Sequence, residues 1–283
     1  MGLDPTTVEW KSKEHALTYD WRTLATYALG VGAKSEELAF LYEGFPGGMQ
    51  ALPSFAVIPA HDAVLECLVK TGGDLAMVVH GGQVVRAHRV IPSAGILITT
   101  AKIRAIYDLK KFAQVVIDTR SSQDGELVYE TTWSIIFRGA GGFSGPRPPA
   151  EPGPSVPKDT TPSFQREEST TREQALLYRI SGDTNPLHAD PAFAAKVGFE
   201  RGPILHGLAT FGFLTRAIVQ GPCGGDASRL KRVAAQFRKP MWPGETLKMC
   251  GYDIGGGTYA LTAEAVERNE AVLGGASAEI VTA

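Results

Sequence analysis

The sequence is poor in cysteine, lacks any long apolar run and carries almost no net charge, and each shortage removes a class of protein. Its three cysteines, Cys67, Cys223 and Cys250, lie far apart, with no C-x-x-C pair and no histidine at zinc spacing. That excludes a disulfide framework and points to reduced thiols in a cytoplasmic protein. No stretch approaches the ~20 uninterrupted apolar residues of a membrane-spanning helix. The opening MGLDPTTVEWKSKEHALTYD has no signal-peptide core, and the closing AEIVTA matches no familiar sorting tag. Lys and Arg number 28 against 30 Asp and Glu, so there is no net field to hold nucleic acid or an anionic membrane. What is present is a globular composition, 43% hydrophobic and 20% charged over 283 residues, enough for two ordinary domains or one large one.

Proline is concentrated in one place. Gly145 to Pro162 holds seven prolines, which remove backbone donors and fix φ, so the segment reads as an extended linker between two halves. The divisions expected are 1–145, a linker 146–162, and 163–283. Each half closes on three runs rich in β-branched and aromatic residues: Ile96 to Asp108, Phe112 to Thr119 and Glu126 to Phe137 in the first, Thr246 to Ile254, Thr258 to Val266 and Ala271 to Val281 in the second. Asp124-Gly125 and Gly255-Gly256-Gly257 mark hairpins within them. One apolar helix precedes each triplet. The first is expected from Ala60 to Thr71; the second starts at Gly202-Pro203 and carries Ile204, Leu208, Phe211, Leu214 and Ile218 at spacings of three and four. Pro92 to Leu97 and Pro243 to Leu247 hint at a repeat. One helix against one antiparallel sheet, twice over, is an α+β architecture.

The chemistry concentrates in Tyr178-Arg179-Ile180-Ser181-Gly182-Asp183-Thr184-Asn185-Pro186-Leu187-His188. Asn185-Pro186 forces a turn, and Asp190-Pro191 reads as the cap and first residue of a short helix ending near Lys196. Asp183, Asn185 and His188 therefore share one compact bend. An acid, an amide and an imidazole suit the placing of one water: Asp183 accepts one proton, His188 exchanges the other, and Asn185 fixes the orientation. The plainer alternative is that Asp183 caps a turn, Asn185 makes an Asx turn and His188 is a satisfied core residue. Further on, Gly207 falls in the first turn of the second apolar helix. Its amide has no intrahelical partner, lies at the positive end of the dipole, and has no side chain to keep a carbonyl away, which describes an oxyanion hole. Close packing alone is the alternative for this glycine. His206 reads as a structural residue hydrogen-bonded near the helix start.

Ser181 to His188, Ser-Gly-Asp-x-Asn-Pro-Leu-His, followed by Pro203 to Gly207, Pro-Ile-Leu-His-Gly, resembles the hydratase 2 family. These are (R)-specific enoyl-CoA hydratases related to MaoC-like dehydratases, and the likeness extends to the two-hotdog hydratase part of peroxisomal multifunctional enzymes type 2. Ala28 to Gly32, Phe55 to Pro59, His80 to Gln83, Arg138 to Phe143 and Pro243 to Leu247 also match, so the resemblance covers nearly the whole chain. It implies a double hotdog, with Asp183 and His188 as acid–base pair, Asn185 holding the water and the Gly207 N–H polarising a thioester oxygen. It further implies coenzyme A or acyl contacts at His80, Gly81, Phe237 and Lys110, no metal or other cofactor, a homodimer, and a non-catalytic first half housing the acyl chain. The sequence departs from the family at Gln236 and Arg238 around Phe237, at Gly82 where a glutamate is usual, and by one residue inserted near Arg201-Gly202.

The reaction so implied is syn addition of water to a trans-2-enoyl-CoA, giving the (3R)-3-hydroxyacyl-CoA reversibly. Two other readings stay in play. In a hotdog acyl-CoA thioesterase the carboxylate directs water at the carbonyl, which the pairing of Asn185 and His188 with Asp183 argues against. A non-enzymatic acyl-CoA-binding protein has no need of the intact Asp–Asn–His set. Acyl length and bulk are left open.

Overall fold

The computed structural model describes residues 3–150 and 153–282. Its first half contains β1 (His15–Tyr19), α1 (Trp21–Gly30), α2 (Val57–Lys70), β2 (Val78–Ala87), β3 (Gly95–Asp108), β4 (Phe112–Gln123) and β5 (Glu126–Arg138). The second contains β6 (Phe164–Ser169), α3 (Gln174–Arg179), α4 (Pro191–Lys196), α5 (Gly207–Gln220), β7 (Leu230–Phe237), β8 (Thr246–Asp253), β9 (Thr258–Ala265) and β10 (Glu270–Ile280). All ten strands form one antiparallel sheet in the order β1-β3-β4-β5-β2-β7-β10-β9-β8-β6. The second half of that order repeats the first in reverse, with β2 and β7 meeting at the centre through Gly82↔Gln236 to Arg86↔Arg232. This is the expected α+β double hotdog, each half-sheet wrapped on one long helix.

The strands form where alternation and turn chemistry dictate. β3 and β4 bury every second residue or nearly so, as a sheet with one covered face requires. Asp124 and Gly125 both take positive φ, the conformation of a two-residue hairpin turn whose twist suits the flanking strands. The two long helices differ. α5 buries every residue from Leu208 to Val219, Arg216 included, whereas α2 leaves Leu65 and Val69 exposed. Gly212 allows α5 to close on the first half, because a Cβ there would overlap Val31. The buried Arg216 guanidinium then ties the halves together: Nε donates to Val31 O at 3.1 Å, Nη1 to Glu37 at 2.5 Å, and Nη2 to Glu168 on β6.

Several expectations need adjusting. The second apolar helix starts at Gly207 rather than at Gly202-Pro203, because Gly202 has φ +107° and 203–206 form neither helix nor strand. There Leu205 N donates to Met241 O at 2.7 Å. The first begins at Val57 rather than Ala60 and ends at Lys70 rather than Thr71; Pro59 is accommodated in its first turn, where an amide has no partner anyway. Pairing also carries β4 four residues past Thr119, to Gln123, along the Asp124-Gly125 hairpin. In the proline-rich segment, residues 145–150 and 153–162 form neither helix nor strand, and Glu151 and Pro152 lie outside the described residues. The chain passes β10 there, with the Cβ position of Gly153 3.4 Å from Gly275 O. All three cysteines are free and buried, and no helix among the described residues is long and apolar enough to cross a membrane.

Candidate active site

The loop between α3 and α4 is built from its own polar side chains. Gly182 takes φ +137° and turns the chain so that Asp183 Oδ1 accepts from Asn185 N at 3.1 Å. Asn185 Oδ1 accepts from Leu187 N at 3.0 Å and opens the short 3₁₀ turn Pro186–His188. Asp190 then caps α4 as expected, accepting from Ala192 N and Phe193 N. The turn-forming roles of Asp183 and Asn185 are therefore real, and they place His188 inward, 8% exposed. Asn185 is exposed, and with its oxygen engaged its amide nitrogen is the group left for a ligand.

His188 Nδ1 lies 2.8 Å from Ile204 O. A carbonyl only accepts, so the proton sits on Nδ1 and the basic lone pair on Nε2. His206 Nε2 lies 3.1 Å from Asp183 O, which by the same logic puts its proton on Nε2. The two rings stack at 3.7 Å between centroids and 25° between planes, and Tyr178 packs against His206, tilted, at 4.8 Å. One ligating atom each from Asp183, His188 and His206 lie within 4.8 Å of one another. This donor set has the right elements for a divalent ion, but lone pairs of face-stacked imidazoles run in parallel planes, whereas a tetrahedral ion needs them convergent. A small ligand that both donates and accepts, such as water, suits it better.

The electrostatics divide the labour. Burial works against the Asp183 carboxylate, but His206, His188 and the Asn185 amide outweigh it and hold its pKa below the usual value. Burial pushes the His188 pKa down from the ordinary histidine value, opposed by Ile204 O and Asp183. His206 is held at about 3 by burial and the neighbouring His188. Near neutrality the site thus contains one carboxylate and neutral imidazoles, an acceptor pair ready to exchange a proton.

The chain of contacts continues into the first half. Gly207 is the first residue of α5, and the Phe237 ring at the end of β7 covers it, two ring carbons lying 3.1 Å from its Cβ position. Phe237 meets His80 at 4.7 Å, and His80 stacks on Trp133 at 5.0 Å. The bulge in β2 between His80 and Gly82 re-aims that ring, and its Nε2 donates to Gly82 O. Gly81 fills the bulge, where a Cβ would come within 2.9 Å of Ile136 Cγ1. Burial lowers the His80 pKa to about 4, and Asp183 pulls it back upward, so the two halves feel one another electrically.

Six residues singled out in the sequence, Asp183, His188, Gly207, Phe237, His80 and Gly81, are therefore brought together across the β2–β7 junction, with Asn185 at the rim. Lys110 is not. It is exposed in the β3–β4 turn with φ +70°, its amide donating to Asp108 Oδ1, at the same end of the sheet but separated from β2 by β5. Reading His206 as only structural also understates its position, since it touches both His188 and Asp183. A supporting cluster went unread as well. Trp242 is sandwiched between Arg201 and Arg268 at 4.6 and 4.9 Å. Both guanidiniums pair with the buried Glu245, and Trp242 Nε1 donates to Gly202 O. This pins the segment whose Ile204 carbonyl fixes His188. Its only sequence signal is Pro243-Gly244-Glu245. At the equivalent place in the first half, α2 begins with Val57 after Ala56, and no Asp-x-Asn-x-x-His loop precedes it.

Comparison with known proteins matches the two halves separately. Residues 17–139 match the MFE-2 hydratase 2 N-terminal domain and residues 155–271 the MaoC like domain. The chain is 38% identical to 3-hydroxyacyl-thioester dehydratase Y of Mycobacterium tuberculosis, over 87% of this chain and 86% of that one. It is 37% identical to the peroxisomal enoyl-CoA hydratase 2 of Arabidopsis thaliana, over 94% and 91%. Among solved structures, a MaoC-like dehydratase from Phytophthora capsici superimposes with a TM-score of 0.89 at 31% identity, covering 100% of this chain and 98% of that one. With both halves matched in order, and relatives of this identity aligned along most of their own length, the chain belongs to the MaoC-like hydratase 2 family.

Proposed function

We propose that this protein adds water reversibly to trans-2-enoyl thioesters of coenzyme A, giving (3R)-3-hydroxyacyl thioesters. The observation that carries the reading is that one side-chain atom each from Asp183 and His188 lie within 4.8 Å of one another and of His206, the residue that immediately precedes the first amide of α5. In it, the Gly207 N–H donates to the thioester oxygen and stabilises the negative charge developing there, which makes the β-carbon electrophilic. A water accepts from the Asn185 amide and donates to Asp183 and to His188 Nε2. Its hydroxide joins the β-carbon while its proton is delivered to the α-carbon on the same face, so the addition is syn. The reverse path removes water, and flux sets the direction. Phe237 and His80 form the wall over the thioester, and the first half, 1–145, houses the acyl chain, leaving the chemistry to 163–283. The same reading places the enzyme in the cytoplasm as a homodimer. The relatives named as enoyl-CoA hydratase 2 and thioester dehydratase support the reaction class. Relatives named as peroxisomal make compartment a matter for direct imaging.

The test is to follow loss of the conjugated-thioester absorbance of a medium-chain trans-2-enoyl-CoA, coupled in parallel to a dehydrogenase specific for the (3R) alcohol. Asp183→Asn and His188→Gln are each expected to lower kcat by ~10²–10⁴-fold. Release of free thiol would identify a thioesterase instead, and tight binding without turnover an acyl-CoA-binding protein.

A further inference from the structure

We propose that His206 is a positioning residue for the Asp183–His188 pair: it ties the Asp183 main chain to the start of α5 and supplies the ring against which His188 takes up its proton. This rests on the reading above, in which His188 exchanges a proton with the reacting water. Three observations carry it. His206 immediately precedes Gly207, so a bond from its Nε2 to Asp183 O at 3.1 Å fixes the distance between the carboxylate-bearing loop and the candidate oxyanion amide. Its ring lies flat on His188 at 3.7 Å and packs against Tyr178. At 1% exposure its Nδ1 receives no hydrogen bond from any protein group among the described residues. A buried polar atom left without a protein partner is unfavourable. The ring is oriented for its N–H and its face.

The physical consequence is specific. When His188 becomes an imidazolium it needs a neighbour that excludes water yet does not repel. A neutral aromatic face meets both needs and attracts the cation. Burial and the neighbouring His188 hold His206 at about 3, so its ring is neutral near neutrality. The other charged or titratable groups facing the pair are Asp183 on the same loop, Arg179 at the end of α3, His80 on β2 and His61 on α2. None of these supplies a ring against His188. Donor and ring are thus two separable functions of one side chain.

Three variants separate them: His206→Gln keeps an N–H donor without the ring, His206→Phe keeps a ring without the donor, and His206→Ala keeps neither. Soluble, folded protein is first confirmed by circular dichroism and thermal melting. Hydration is then measured as kcat and as the pH profile of kcat/KM. Loss of the donor is expected to lower kcat by roughly fivefold or more, the equivalent of one hydrogen bond, so Phe and Ala fall while Gln is substantially rescued. Loss of the ring lets water reach His188, so the acid limb of kcat/KM moves upward in Ala and stays at the wild-type position in Phe. If Gln is no better than Phe, or if Ala leaves the acid limb where it is, the proposal is overturned. Uniform losses that track melting temperature overturn it as well. Failure of the underlying reading looks different: the wild type then shows no hydration, or Asp183→Asn and His188→Gln retain it.

Discussion

Replacing Gly207 by alanine should separate stability from activity. Gly207 stands at the first helical position of α5 with an ordinary negative φ, so alanine meets no backbone strain, and alanine is favoured over glycine in helices by up to ~1 kcal/mol. Against that, the new Cβ would lie 3.1 Å from two carbons of the Phe237 ring, a few tenths of an ångström too close. Phe237 is only half-buried and can give way for a cost of about 1 kcal/mol. The two effects nearly cancel, so the melting temperature should stay within a few degrees of the wild type. Activity should not survive as well, because the methyl group occupies the space between the amide and the Phe237 ring where a carbonyl oxygen must approach. Loss of one oxyanion donor costs about 3 kcal/mol, or ~10²-fold in rate, and that is the fall expected in kcat/KM. The assay pairs a thermal melt with the ultraviolet decay of an enoyl-CoA. An alanine variant within threefold of wild-type activity would refute the assignment of this amide. A variant that loses activity only in proportion to unfolding would refute the packing estimate.

Other consequences can be checked independently. Arg216→Met should destabilise the fold by ~3–5 kcal/mol in denaturant titrations, because it leaves Glu37 buried without its cation and Glu168 with Arg166 alone; hydrogen exchange should rise first around residues 31–37. Gly212→Ala should cost ~1–3 kcal/mol through overlap with Val31, with hydration retained at temperatures well below the new melting point. Acid should destabilise the protein earlier than its carboxylates alone would. The folded-state pKa of His206 is about 3, below the unfolded value near 6.5, so the unfolded chain binds the extra proton. The stability this residue contributes is complete above pH 6.5 and is lost as pH falls toward 3, at up to ~1.4 kcal/mol per pH unit. A flat melting temperature between pH 6.5 and 4.5 would contradict it.

The long meander strands were legible in the sequence because β-branched alternation and Gly-rich turns act locally. Five of the six runs fell within two residues of β3, β5, β8, β9 and β10, and the sixth shared the start of β4 but stopped four residues short of Gln123. β2 and β7 were not read. Their glycines and alanines, Gly81, Gly82, Ala234 and Ala235, carry little strand propensity, and what holds them is pairing with each other and with neighbours on both sides. The helix start was misplaced for a related reason: Pro203 is acceptable at a first helical position, yet Met241 captures the Leu205 amide. At the candidate site, Asp183, His188 and Gly207 were singled out from residue chemistry and motif together. His206 was set aside because nothing in a linear sequence reveals a ring stacked across 18 residues, nor that its neighbour Tyr178 packs against it.

The reversed repeat in strand order has a consequence for counting. A frame with near-twofold symmetry offers two helix starts facing its central junction, but only α5 begins with glycine beside an acid and two imidazoles, while α2 begins with Val57. On the proposed reading the molecule is a pair of similar scaffolds with a single mouth. Titration with a non-reactive acyl-CoA ether should saturate at one equivalent per chain. On the proposed reading the first half is free to vary in lining without disturbing the chemistry, so two such enzymes can differ in what they accept while sharing how they act.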